Sequence, residues 1–232
     1  MIDVRPFSGI GRAQHGWLDA AHHFSFASYH DPARMGWGRI RVWNDDVIAP
    51  NSGFPPHPHD NMEIITYVRS GAITHQDSLG NSGRTAAGDV QVMSAGTGIV
   101  HSEFNLEAEP TTLFQIWIET SRPGSAPGWG MRQFPRQNRS GKWEVVASNQ
   151  PARDHSLQIH ADARVFAASL TAGQTLEFDA SPDRFQYLVA ATGRITINGV
   201  AATARDGIAI TGETQLAVTA IADAELVMVD SA

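Results

Sequence analysis

The 232-residue chain contains no cysteine. That excludes a disulfide framework, thiolate metal ligation and a cysteine nucleophile. No hydrophobic run approaches the ~20 residues that cross a bilayer as a helix. The opening Met-Ile-Asp-Val-Arg-Pro has no charged stretch followed by an apolar one, so no secretory signal is read there. Basic clusters are missing too. Seventeen Lys and Arg are scattered among twenty-four Asp and Glu, for a formal net charge of −7. That balance argues against direct nucleic-acid binding and against a membrane-binding patch. The expectation is a cytoplasmic protein with no membrane association. Helical periodicity is scarce, and only Trp17–Tyr29 reads as a turn of helix.

What remains is β patterning. Hydrophobic residues make up 42% of the chain, enough for a core. Short segments rich in Val, Ile, Phe, Trp and Thr recur between frequent glycines and prolines. Leu113–Glu119 alternates as a half-buried strand does, and Ile195–Asn198 reads as strand then turn. Further strands are expected at Arg39–Trp43, Glu63–Arg69, Val90–Met93, Trp143–Ala147, Val165–Leu170, Phe185–Ala190, Arg194–Asn198, Gly207–Ile210, Gln215–Thr219 and Glu225–Val229. Many short strands with frequent turns imply an all-β barrel or sandwich.

A weak internal repeat divides the chain. Glu63–Thr74 resembles Asp183–Thr196, and Gly88–Val92 resembles Asp206–Ile210, at an offset close to 120 residues. Repetition at half the chain length means two copies of one domain. The expected domains are residues 1–125 and 126–232, with a linker in Ser121–Arg139, rich in Gly, Pro, Ser and Arg. Adding the offset to His57 and His59 lands on Glu177 and Asp179, and nothing near Ala220 replaces His101.

Chemistry concentrates in two motifs of the first copy, His57-Pro-His59 followed by Glu63, and His101-Ser-Glu103 followed by Asn105. In extended backbone, residues two apart face the same side, so each motif offers a pair of ligands to one target. Pro58 supports this by disfavouring a helical conformation at His57. Glu63 shares the parity of His59 and competes with Glu103 as a ligand. Three imidazoles and a carboxylate suit Fe(II), Ni(II), Cu(II), Mn(II) or Zn(II). The bland alternative is polar loop residues beside prolines, but two motifs that agree favour a metal site.

The paired motifs resemble the cupin signatures. More closely, Gly11–Trp17, His22–Asp31, Gly53–His59, His75–Asn81 and Met93–Glu103 resemble the pirin family, over residues 5 to about 120. The second half resembles bacterial pirin-like proteins with quercetinase activity. That resemblance implies a bicupin, two antiparallel β-sandwich barrels of the double-stranded β-helix or jelly-roll type, with metal only in the first. It implies His57, His59, His101 and Glu103 as ligands, whereas the general cupin signature would use Glu63. It implies one divalent ion, iron(II) foremost, with Ni, Cu, Mn, Co or Zn compatible.

The activity implied is that of quercetin 2,3-dioxygenase, cleaving a flavonol-like polyphenol with O2. Glu103 would act as the base that takes the substrate proton. The alternative is a non-catalytic regulator that binds a protein partner through its metal state, as animal pirins are linked to transcription-factor complexes. A weaker third reading is a metal-bound isomerase or hydrolase. His75 and Asp77 could orient a ligand, but a strand end before the Ser-Leu-Gly-Asn turn is the simpler reading. His15, His22 and His23 show no ligand spacing and read as packing or polar contacts. Met93 and Phe54 could line an apolar pocket or serve as core. Asn105 reads as a turn residue.

Overall fold

A computed structural model describes all residues 1–232 and shows a nearly all-β chain, with one short helix at Pro151–Asp154. The segments expected as strands lie on strands, to within a residue at their ends. Phe185–Ala190 and Arg194–Asn198 fuse into one long strand, Phe185–Ile197. Gln215–Thr219 and Glu225–Val229 fuse into Gln215–Ser231. The Trp17–Tyr29 stretch holds no helix. Its core is the strand Leu18–His22, whose pairing with Ile40–Ile48 overrides weak local propensity.

Three sheets form. Seven strands run in the order Gly128–Arg132, Val90–Ser94, Met62–Ser70, Thr111–Glu119, Ile40–Ile48, Leu18–His22, Gly11–Gln14. Four run Ser52–His59, Ile99–Asn105, Ala72–Asp77, Ser82–Ala86. The third, of nine strands, is built around Phe185–Ile197 and Gln215–Ser231, which pair along their length through three register shifts. Gly193 marks that bend. Its φ is +85°, and a side chain there would run into the Asp223 carbonyl. Pairing is antiparallel throughout the named strands except between Glu144–Ser148 and Leu157–Gln158.

The repeat is physical. Tyr67 pairs across the sheet with Val90, and Tyr187 pairs with Ala209, matching the offset seen in the sequence. The two halves also exchange strands. Ile2–Arg5 pairs with Gly207–Thr211 in the nine-stranded sheet, and Gly128–Arg132 pairs with Val90–Ser94 in the seven-stranded one. The segment expected as a linker therefore carries a strand and a buried arginine, Arg139.

Apolar side chains are distributed unequally. A cluster of 24 buried residues joins the two halves, drawing Trp43, Ile65, Tyr67 and Phe114 from one and Val146, Val165, Tyr187 and Val229 from the other. Inside the second barrel, 17 buried apolar residues form one cluster. The interior of the first holds separate apolar clusters of only 6 and 4. The space between them is taken by His101, Glu103, Gln91, Gln115, Asn44 and Asp46, all buried. One copy is a filled core, and the other is a polar chamber. No helix is long and apolar enough to cross a membrane.

Candidate metal centre

The four-stranded sheet delivers the imidazoles. His101 lies on Ile99–Asn105, directly opposite His57 on one neighbour and Asp77 on the other. Ile99 lies opposite His59, and Glu103 opposite His75. Pairing slips by one residue between His101 and Glu103, because the partner strand carries an extra residue at Pro55–Pro56. That strand is a sheet edge, where prolines lacking an N–H are tolerated. The prolines that hide it from sequence patterning also aim His57.

His57, His59 and His101 converge, with ligand atoms all within 4.8 Å of one another. His101 Nε2 is 3.1 Å from His57 Nε2. Their tautomers follow from their other partners. His57 Nδ1 lies 2.8 Å from the Pro55 carbonyl, which can only accept, so Nδ1 carries the proton and Nε2 a lone pair. His75 Nε2 lies 3.0 Å from Asp77 Oδ2, and His101 Nδ1 lies 3.4 Å from His75 Nδ1. An ionised Asp77 accepts a hydrogen bond from His75 Nε2–H, leaving His75 Nδ1 to accept from His101 Nδ1. His101 Nε2 is then also a lone pair. Two lone pairs facing at 3.1 Å repel unless a cation lies between them, so the residues fit a metal ion.

Electrostatics agree. Burial, then the neighbouring imidazoles, push His101 down to about 3, and burial with His57 pushes His59 down to about 4. Both are neutral near pH 7, the form that binds metal. Asp77 is held below the ordinary carboxylate range by bonds from His75 and the Asn81 and Leu79 groups, which outweigh desolvation. His75 stacks on Trp129 with ring centroids 4.8 Å apart and planes 7° apart. The His75–Asp77 pair therefore does both things weighed from sequence. Asp77 Oδ1 accepts the backbone N–H groups of Leu79 and Asn81 in the turn, while Oδ2 orients His75.

Glu103 forms a second cluster with His75 and His101. It is buried, and its carboxylate accepts from Gln115 Nε2 at 2.6 Å, Gln91 Nε2 at 2.7 Å and Thr66 Oγ1 at 3.3 Å. Burial dominates those bonds and raises its pKa to about 7. Glu63 belongs to neither cluster; it is core-facing, accepting from Ser94 Oγ at 2.5 Å. A cavity of about 150 Å³ opens beside the imidazoles, with His57 and His59 on one side. Phe54, Phe26 and Trp117 give it aromatic walls, and Asp46, Asn44 and His22 a polar one. Met93 packs instead with Ile64 and Ile99. Asn105 spans a turn, donating to the carbonyls of Ile48, Ala49 and Glu109. His22 pairs with Asn44 and His23 with Tyr187, while His15 is exposed.

The family models that match are Pirin, over residues 4–118, and the quercetinase C-terminal cupin domain, over residues 145–231. A pirin-like protein of Caulobacter vibrioides is 60% identical over 232 residues, covering 100% of both chains. The chain belongs to the pirin family. A quercetin 2,3-dioxygenase of Escherichia coli K12 is 42% identical over 231 residues, covering 99% of this chain and 98% of its own. The bacterial pirin YhhW of Escherichia coli, solved in complex with nickel(II), superposes with a TM-score of 0.94 at 41% identity, covering 100% of this chain and 99% of its own. These pirin relatives share the two-barrel cupin architecture along the whole chain.

Asp46, Asn44 and Gln115 are among the site residues that sequence reading missed, as are Gln91, Phe26 and Trp117. Asp46, Asn44 and Gln115 each sit at the same parity as buried apolar residues of their strands, and that was the available signal.

Proposed function

We propose that the chain is a metal-dependent dioxygenase of the quercetin 2,3-dioxygenase type, acting with O2 on an enolic polyphenol of the flavonol class. The observation that carries this reading is the meeting of two imidazole lone pairs, with a third imidazole alongside, beside an aromatic cavity that His57 and His59 line. The names of relatives that match over the whole chain support it. In this reading His57, His59 and His101 hold one divalent ion, and Glu103, within reach of His101, is the fourth ligand. Iron(II) remains foremost, and nickel(II), present in the Escherichia coli pirin structure, suits the same donors. When bound, the ion would supply a Lewis-acid seat that couples an enolate to dioxygen.

The protein's part is orientation and dryness. Phe54, Phe26 and Trp117 would flank an aromatic ring, with Trp117 set edge-on to His59 at 4.9 Å. The cavity is small against the ~300–1,000 Å³ of pockets that enclose drug-sized ligands. A flavonol would enter by one ring, leaving the remainder outside. The same reading draws the units as residues 1–125 and 126–232, each completed by one strand from the other.

The test is oxygen uptake and carbon monoxide release with quercetin by the metal-loaded protein. His101→Ala should lose both metal and turnover. Full turnover in that variant would sink the assignment. A metal-loaded wild type inert toward every flavonol would favour a regulatory, protein-binding role.

A further inference from the structure

The cavity wall contains a carboxyl group that the metal centre does not use. Asp46 lies on Ile40–Ile48, one register step from Asn44 on the same face. Across the sheet, Asn44 pairs with Gln115 and with His22, and Asp46 pairs with Leu113 and Ala20. His22 and Asn44 bond each other at 2.8 Å, and Gln115 is spent between Glu103 and the Trp117 indole. Asp46 differs. It lines the same cavity as His57 and His59, is 1% exposed, and its Oδ1 has no hydrogen-bond partner. No other cavity-lining residue has a buried polar side-chain atom left unpaired. Burying an acceptor unpaired costs on the order of 1–3 kcal/mol, so its retention calls for an explanation.

We propose that Asp46 is the group that accepts the substrate's hydroxyl proton. The inference rests on the dioxygenase reading above. Glu103 is the less suitable acceptor, because three side-chain donors occupy its carboxylate and it does not line the cavity. A ligand that fills the cavity touches Asp46 together with His57 and His59. In the step, the substrate O–H bond breaks and its electron pair stays on the enol oxygen. The proton forms a new O–H bond on Asp46, so a carboxylate becomes a neutral acid as a hydroxyl becomes an enolate. The proton returns when the product is released.

The surroundings suit that role. Burial first, then the Asp45 and Glu103 carboxylates, raise the Asp46 carboxyl well above the ordinary range. Once ionised, it is therefore a stronger base than an exposed aspartate and better matched to a weakly acidic hydroxyl. The nearby Asp45 is no substitute, because it faces the other side of the sheet and is paired with Arg69 and Arg205.

The experiment compares wild type with Asp46→Asn, both loaded with nickel(II), binding quercetin without oxygen. Deprotonation shifts the flavonol absorption band to longer wavelength. The wild-type complex should show that shift, and the variant should bind quercetin unshifted with metal content unchanged. With oxygen admitted, kcat of the variant should fall ~10²–10⁴-fold. A shifted band and undiminished turnover in the variant would overturn the proposal, as would loss of its metal. Should Asp46→Asn not fold, Asp46→Ser carries the same expectations. A wild type that neither binds nor turns over quercetin removes the dioxygenase reading and this step with it. That failure is visible in the wild type alone.

Discussion

His75 Nδ1 lies 3.4 Å from His101 Nδ1, while its other ring nitrogen lies 3.0 Å from Asp77 Oδ2. The carboxylate therefore sets the tautomer of His101, one of the three converging imidazoles, through a second ring. Asp77→Asn should reverse the chain. The asparagine Oδ1 can keep the turn bonds from Leu79 and Asn81, but its Nδ2 would donate to His75 Nε2. The His75 proton would move to Nδ1, and that of His101 to Nε2. Metal affinity should fall ~10–100-fold with the melting temperature of the metal-free protein nearly unchanged. Titration calorimetry with nickel(II) reads the first, and a thermal melt the second.

Gly83 lies beneath Trp129, and a Cβ there would run into the far edge of its ring. Trp129 in turn is stacked on His75. Gly83→Ala should displace the indole and loosen His75, lowering metal affinity although the position is no ligand. Overpacking of this kind costs about 1–3 kcal/mol, which chemical denaturation will register.

Tyr67 and Tyr187 sit at equivalent places in the two barrels, and each reaches into the other. The Tyr67 hydroxyl donates to Glu225, which also binds the buried Arg139 at 2.6 Å. The Tyr187 hydroxyl meets His23 Nδ1 at 2.9 Å. Tyr67→Phe should destabilise the fold by about 1–3 kcal/mol by removing one donor from a buried carboxylate. Urea midpoints measured with the metal removed test this without interference from the site.

His23 also predicts a pH dependence. Burial, then the charges of Arg205, Arg34, Arg5 and Arg12, push it down to about 3 from an ordinary 6.5. The folded state thus refuses a proton that the unfolded chain accepts. The stability at stake is fully present above about pH 6.5 and is lost as pH falls toward 3, on the order of 5 kcal/mol in all. Replacing His23 by Gln should flatten the acid limb of the stability profile. An unchanged limb would show that other groups carry it.

The strands and the two-copy plan were readable because alternation and turn residues are local signals, and because the second copy carries the same pattern without the histidines. The parity argument for His57, His59 and His101 needed only extended backbone. The Pro55–Pro56 bulge that aims His57 did not show, since prolines read as loop rather than as edge strand. Asp46 and Gln115 depend on which strands become neighbours, which sequence spacing does not state. The strand exchange by Ile2–Arg5 and Gly128–Arg132 was hidden for the same reason. Short polar segments gain strand structure only from a partner far away in the chain.

His57, His59 and His101 should present three lone pairs to one ion. Anomalous diffraction from crystals of the nickel(II)-loaded protein tests it directly. A single strong peak is expected about 2.1 Å from a nitrogen of each of the three rings, with Glu103 as the fourth ligand. A peak centred on Glu63, or on the His75–Asp77 pair, would contradict it, as would metal-loaded crystals with no peak among the three rings.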